Sequence, residues 1–284
     1  MSGDAKSQPS ALDRADVRVR HDAGFAGAVR GFIDRVRSGD LGSLPVVVGL
    51  VLICAVFQTL NPVFLSSGNL VDLLFDSSTV GVISLGIVCI LIVGEIDLSV
   101  GSVSGLASAI LGVLWVNAGW PVGIAILVAL VVGCAIGIVY ATLFNGLGMP
   151  SFVSTLAGLL AALGLQLYLL GATGSINLTY GSALVDLGQT LIMPHVIAYG
   201  LVLIAGIAIF ITGSRRAAQR RAAGLTPPSI VGILARAVVL TVVLEFVVWY
   251  LNQDRGVPWM FGLFVGLVVA MDYALTRTKW GRSM

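Results

Sequence analysis

Apolar residues do not alternate along this chain; they come in long blocks, at about 45–60, 79–94, 98–116, 121–144, 151–171, 190–212, 229–251 and 258–275. Between the blocks lie Asn61-Pro62, 117–121, 148–150, a polar stretch over 172–189, Thr226-Pro227-Pro228 and 252–258, the punctuation of connecting loops. A helix crosses the hydrocarbon of a bilayer in about 20 residues, and only hydrogen-bonded helices or closed barrels satisfy their backbone there. Barrel strands would show short alternating segments instead. The pattern therefore predicts an all-α polytopic transmembrane bundle of about eight spans over 45–275. The blocks 45–60 and 79–94 are short for spans, and 79–116 is where a broken or re-entrant element is expected.

Composition supports lipid as the solvent. Of 284 residues, 57% are hydrophobic and 11% charged, against roughly 45–50% and about 25% in soluble domains. The mean hydropathy is +1.01. No Lys or Arg occurs between Arg37 and Arg215. The net charge of +2 is too small, and its cations too clustered near membrane ends, to indicate a nucleic acid partner. Residues 1–44 are polar and mix Lys6 and six arginines with aspartates, so they read as a cytosolic tail and not as a signal peptide, with either an amphipathic stretch near 25–36 or ordinary disorder there. Cytosolic basic loops set topology. Six spans return the chain to the tail's side at Arg215, Arg216, Arg220 and Arg221, and two more return it at Arg277, Lys279 and Arg282, so the cytosolic end is 276–284.

Cys54, Cys89 and Cys134 all lie inside apolar blocks, as packing residues and not as a metal or disulfide set. Small-residue spacings such as Gly101/Gly105 and Gly133/Gly137 predict close helix packing. The densest candidate chemistry is LIVGEIDLSVGSVSG over 91–105, which sets Glu95 and Asp97 amid apolar sequence. A charged carboxylate at mid-membrane costs at least about 2.5–3.5 kcal/mol and so faces a cavity, a partner or a helix end. Asp97 or Ser99 capping the following helix, both carboxylates accepting hydrogen bonds from sugar hydroxyls, and a titrating ion site of a secondary transporter all fit these residues.

A second stretch, FNGLGMPSFVSTLAG over 144–158, reads as a cytosolic inter-helix turn of glycines and a proline, after which Ser151 caps a new helix carrying Ser154 and Thr155 on its first turns, with Asn145 alternatively lining the pathway. In the 172–189 loop, Asn177 and Thr179 are candidates for docking an extracytoplasmic partner. Asp72 and Asp76 share a solvated helical face, His195 stands at a span entrance, and Glu245, with Arg236 on a different turn, requires a contact from another helix. The lysines are Lys6 and Lys279, and no Gly-x-x-x-x-Gly-Lys-Ser/Thr loop occurs, so the chain presents no phosphate loop to ATP. No Cys/His cluster or nucleophile elbow marks an enzymatic or metal site.

GEIDLSVGSVSG at 94–105, GMPSFVSTLAGL at 148–159, Gly174-Ser175-Ile176-Asn177 and Asp254-Arg255-Gly256-Val257-Pro258 resemble the permease subunits of ATP-binding cassette (ABC) importers for ribose, xylose and arabinose, most closely the xylose type. The segments 220–225 and 278–282 are similar to that pattern too, and the resemblance runs from about Gly39 to the end. It implies a permease dimer in the bacterial inner membrane, paired with two cytosolic ABC ATPase subunits that bind ATP and Mg, and fed by an extracytoplasmic sugar-binding protein. It also implies that the chain stops before a cytoplasmic loop and further helices of the family. An ion-coupled secondary sugar transporter and a non-transporting fragment or assembly subunit are the alternative expectations.

Overall fold

The computed structural model describes residues 44–225, 227–279 and 281. The expected tail, its amphipathic stretch and Arg282 lie outside the described residues. Among the described residues the long elements are all helices: α1 Leu44–Leu60, α2 Ser67–Ile92, α3 Val100–Gly112, α4 Val122–Leu147, α5 Ser151–Leu170, the short α6 Ala183–Gln189, α7 His195–Ala222, α8 Ile230–Leu251 and α9 Trp259–Arg277. A π turn, Val113–Asn117, extends α3. Seven of these are long and apolar enough to cross a membrane, and α1 is a shorter apolar helix. At most 22% of any spanning window is buried within the chain. Its apolar surface therefore points outwards, as lipid or neighbouring subunits require and water does not permit.

Three boundaries differ from the apolar blocks. Helix α2 begins at Ser67, twelve residues before the block, because Asp72 and Asp76 sit on its exposed side while Val71, Phe75 and Ser78 are buried. Helix α7 runs on through Arg215, Arg216, Arg220 and Arg221, so the predicted basic loop is helical. Cations in the last turn suit the negative end of the helix dipole. The polar 172–189 stretch contains α6, whose first turn is capped by Ser182, with its Oγ accepting the Val185 N–H.

The chain forms two compact units, Met1–Val71 with Met193–Val257, and Asp72–Ile192 with Pro258–Met284. In the first unit, α7 and α8 pack as a helical hairpin. A Cβ on Gly206 would collide with Thr241 Oγ1, and one on Gly213 would lie 2.7 Å from Ile233 Cγ2. Small residues thus set how closely these helices approach. Gly206→Ala is expected to destabilise the hairpin by about 1–3 kcal/mol, read as a lower Tm in detergent, and Thr241→Ala in the same chain is expected to restore it. The start of α2 is stitched to the end of α8. Ser67 Oγ donates to the Leu251 carbonyl (3.0 Å), Tyr250 Oη to the Leu65 carbonyl (2.9 Å) and Arg255 to the Gly68 carbonyl (3.3 Å). Glu245 Oε1 is buried and finds no hydrogen-bond partner among the described residues, so the inter-helix contact expected for it is not made there.

In the second unit, α3 packs between α4 and α5. Gly105 faces the Gln166 amide of α5, but Gly101, Gly133 and Gly137 meet nothing within 4 Å, so the small-residue expectation holds only for Gly105. Gly137 lines a cavity instead. Helix α9 joins this unit beside α6, with the Trp259 N–H donating to the Leu191 carbonyl (3.0 Å). The cysteines are free thiols; Cys54 and Cys89 are half-buried and Cys134 is exposed.

Candidate functional site

The broken or re-entrant element expected inside 79–116 is instead a short connection between two candidate spans, and one glycine builds it. Helix α2 ends at Ile92, and Gly94 adopts φ +86°, a conformation that a Cβ disfavours. The Gly94 N–H donates to the Leu91 carbonyl (3.0 Å) and the Glu95 N–H to the Ile90 carbonyl (3.2 Å), the paired bonds of a Schellman stop. Residues 95–98 then run without helical structure until α3 begins at Val100.

Backbone donors freed in this way need acceptors. Hydroxyls of α5 answer two of them. The Ile96 N–H points to Ser151 Oγ (3.4 Å) and the Leu98 N–H to Thr155 Oγ1 (3.2 Å). Ser151 and Thr155 are one helical turn apart on one face of α5, which matches alternate residues of an extended segment. Ser154, between them, is 3% exposed and bonds back to the Pro150 carbonyl (3.4 Å).

Two capping expectations are corrected here. Ser99 occupies the N-cap position of α3, but its side chain makes no cap bond. Its backbone is already near-helical (φ −91°, ψ −8°), and its hydroxyl is engaged elsewhere. Asp97 Oδ1 accepts both the Ser99 N–H and the Ser99 Oγ–H, each at 2.7 Å, while Tyr140 Oη on α4 donates to Ser99 Oγ (2.9 Å). Pro150, not Ser151, is the N-cap of α5. Ser151, being the first helical residue, turns its hydroxyl to the interruption.

Around the break lies a cavity of about 430 Å³, within the range of small-molecule sites. Glu95, Ile96 and Asp97 face it from the interruption, Tyr140 and Asn145 from α4, and Ser151, Ser154 and Thr155 from α5. Gly137, Tyr140, Ala141, Phe144 and Asn145 form a single i, i+3, i+4, i+7, i+8 stripe on α4. Glu95 is half-buried, and its carboxylate makes no hydrogen bond among the described residues. The lining thus offers acceptors, hydroxyls and an amide beside an aromatic ring, and no cation. Such a set can exchange hydrogen bonds with a hydroxylated molecule.

Of the residues singled out in the sequence, Glu95, Asp97, Asn145, Ser151 and Ser154 all line this cavity, with Ser99 buried directly behind Asp97. Asn177 and Thr179 do not line it; both are exposed in the loop before α6. Asp72, Asp76 and His195 are exposed as well. Thr155, named beside Ser154 in the 144–158 stretch, lines the cavity too, as does Tyr140, which no sequence motif singles out. The α4 stripe carried the signal for Tyr140, a hydroxylated ring on the same face as Asn145.

A profile of the family described as branched-chain amino acid transport system / permease component matches residues 69–284. The xylose transport system permease protein XylH of Escherichia coli strain K12 is 30% identical over 282 residues, covering 98% of this chain and 67% of XylH. XylH of Haemophilus influenzae is 26% identical over 249 residues, 87% of this chain and 66% of the relative. The fructose import permease protein FruF of Bifidobacterium longum is 34% identical over 143 residues, 47% of this chain and 40% of the relative. No solved structure gives a significant match.

Proposed function

The chain belongs to the family described as branched-chain amino acid transport system / permease component, and from that premise we propose that it is the membrane-spanning subunit of an ATP-driven sugar importer in the bacterial inner membrane. The observation that carries this reading is the interrupted 93–98 segment, which brings two carboxylates, an amide and several hydroxyls to one cavity inside a bundle of apolar helices. Ionisable and polar side chains that converge on a cavity between apolar helices mark candidate solute sites in transporters.

The favoured cargo is a monosaccharide, a pentose such as xylose first, given the match to XylH along 98% of the chain. Carboxylate and hydroxyl acceptors around the cavity suit sugar hydroxyls, and no covalent step is required of the permease. ATP and Mg act on separate cytosolic cassette subunits. An extracytoplasmic binding protein delivers the sugar, with Asn177 and Thr179 as candidate docking residues, and a second permease copy completes the pathway. Transport is then a shift between inward- and outward-facing states, driven by differential contacts with the nucleotide-bound ATPase. The arginine-bearing end of α7 and the end of α9 are assigned to the cytosolic side, as is the N-terminus.

The test is co-expression with the cassette ATPase and sugar-binding protein of a xylose system, followed by purification in mild detergent. Co-purification of the ATPase, with hydrolysis stimulated by the sugar-loaded binding protein, is the expected result. Absence of capture, together with sugar uptake that follows an imposed ion gradient, would replace this reading with secondary transport. Within the importer, Glu95→Gln is expected to lower uptake about 10-fold or more while leaving ATPase capture unchanged, since one charged hydrogen-bond acceptor is worth about 1.5–3 kcal/mol.

A further inference from the structure

The two carboxylates of the interruption are not equivalent. Asp97 Oδ1 is covered by two donors at 2.7 Å, both from Ser99, a residue that is itself 0% exposed. Ser99 is in turn held by the Tyr140 hydroxyl of α4, and its carbonyl accepts the Val103 N–H and the Ser102 hydroxyl (2.8 Å each) at the start of α3. Glu95, two residues earlier, lines the cavity as Asp97 does, but its carboxylate has no such partners among the described residues. Between them, the Ile96 and Leu98 N–H groups rest on the Ser151 and Thr155 hydroxyls.

We propose that Tyr140, acting through Ser99, and Thr155 are positioning residues that clamp the 93–98 interruption from opposite helices, so that Asp97 serves as a structural lock and Glu95 is the carboxylate presented to the passing solute. Glu95 and Asn145 then form the polar contact pair of the pathway, and Asp97 contributes to fold and register. The solute's identity as a sugar rests on the importer reading; the clamp does not.

Tyr140 reaches Ser99 only because α5 yields space. A Cβ on Gly158 would overlap the Tyr140 hydroxyl and lie 2.5 Å from Cζ of its ring. The ring therefore lies in a notch at Gly158, and its hydroxyl meets α3 where α4 and α5 close on it. Thr155 works on the other side. Its own proton has a well-placed acceptor in the Ser151 carbonyl (2.9 Å), which leaves its lone pairs to receive the Leu98 N–H.

The experiment is carboxyl labelling of the purified permease in lipid nanodiscs with dicyclohexylcarbodiimide, with the extent at each residue read by peptide mass spectrometry. Glu95 is expected to label about tenfold faster than Asp97 in the wild type, because two hydrogen bonds must be given up to free Asp97 Oδ1. Ser99→Ala is expected to bring Asp97 labelling up towards that of Glu95, Ser99→Thr to keep it low, and Tyr140→Phe, which removes a single hydroxyl, to raise it by a smaller factor with Tm nearly unchanged. Equal labelling of both carboxylates in the wild type, or Asp97 labelling unmoved by both Ser99→Ala and Tyr140→Phe, overturns the clamp. Xylose in the same reaction separates the two claims. Asymmetric labelling with Glu95 protected by xylose upholds both, whereas asymmetry with no sugar protection upholds the clamp and counts against the sugar pathway.

Discussion

Asp97→Ala is expected to destabilise the folded permease by about 2–4 kcal/mol, the largest single effect at the interruption. The substitution removes the carboxylate oxygen that accepts two hydrogen bonds and leaves the Ser99 N–H and hydroxyl, both fully buried, without it. A hydrogen bond to a charged group contributes about 1.5–3 kcal/mol, and a buried donor left unpaired adds a desolvation cost of similar size. Asp97→Asn keeps an acceptor oxygen in place and is expected to cost about 1 kcal/mol. Tm and monodisperse yield in detergent distinguish the two; an Asp97→Ala chain as stable as the wild type would remove Asp97 from its structural role.

Gly158→Ala is expected to cost about 1–3 kcal/mol and to do so through Tyr140 alone. The added methyl occupies the site of the Tyr140 hydroxyl, so the ring must swing away from Ser99, an overpacking effect. Tyr140→Ala removes the obstacle, so Gly158→Ala in that background is expected to add less than about 0.5 kcal/mol, a non-additivity that a double-mutant cycle in Tm measures directly. Additive losses would mean that Gly158 is constrained by something other than Tyr140. Uptake is expected to fall with Gly158→Ala by about as much as with Tyr140→Phe or more, since both loosen the same lock.

What the sequence made legible follows from what hydropathy measures. A run of apolar residues reports the length of chain immersed in hydrocarbon, and on that scale the spans were readable, as was the break between Ile92 and Val100. It does not report where a helix stops. Asp72 and Asp76 hide the first three turns of α2, and Arg215 to Arg221 hide the last turns of α7, because charged side chains on an exposed helical face lower the hydropathy without ending the backbone hydrogen bonds. The carboxylates and hydroxyls of the site were visible as polar residues in apolar surroundings. Their division of labour was not, because Ile96 with Ser151 and Leu98 with Thr155 are pairs 55 and 57 residues apart that only tertiary packing brings together. Capping residues were misassigned for a related reason. A serine next to a helix start meets the local rule for a cap, yet Ser99 and Ser151 both spend their hydroxyls on the interruption.

The importer reading also explains why the chain exposes so much apolar surface and why the site holds no cation. In a permease served by a binding protein, specificity is supplied before the solute arrives, and the pathway needs acceptors that let go as readily as they bind. Carboxylates with hydroxyls around them and no paired cation meet that need better than a tightly paired ionic site, whose breaking would cost several kcal/mol in a low-dielectric setting.

The most direct test is uptake of labelled xylose into proteoliposomes that contain this permease with the cassette ATPase of a xylose system, with sugar-binding protein outside and either ATP inside or an imposed proton or sodium gradient. Uptake that requires enclosed ATP, ignores the ion gradients and is lost in Glu95→Gln is the predicted result. Uptake driven by an ion gradient without ATP would contradict the account at its centre.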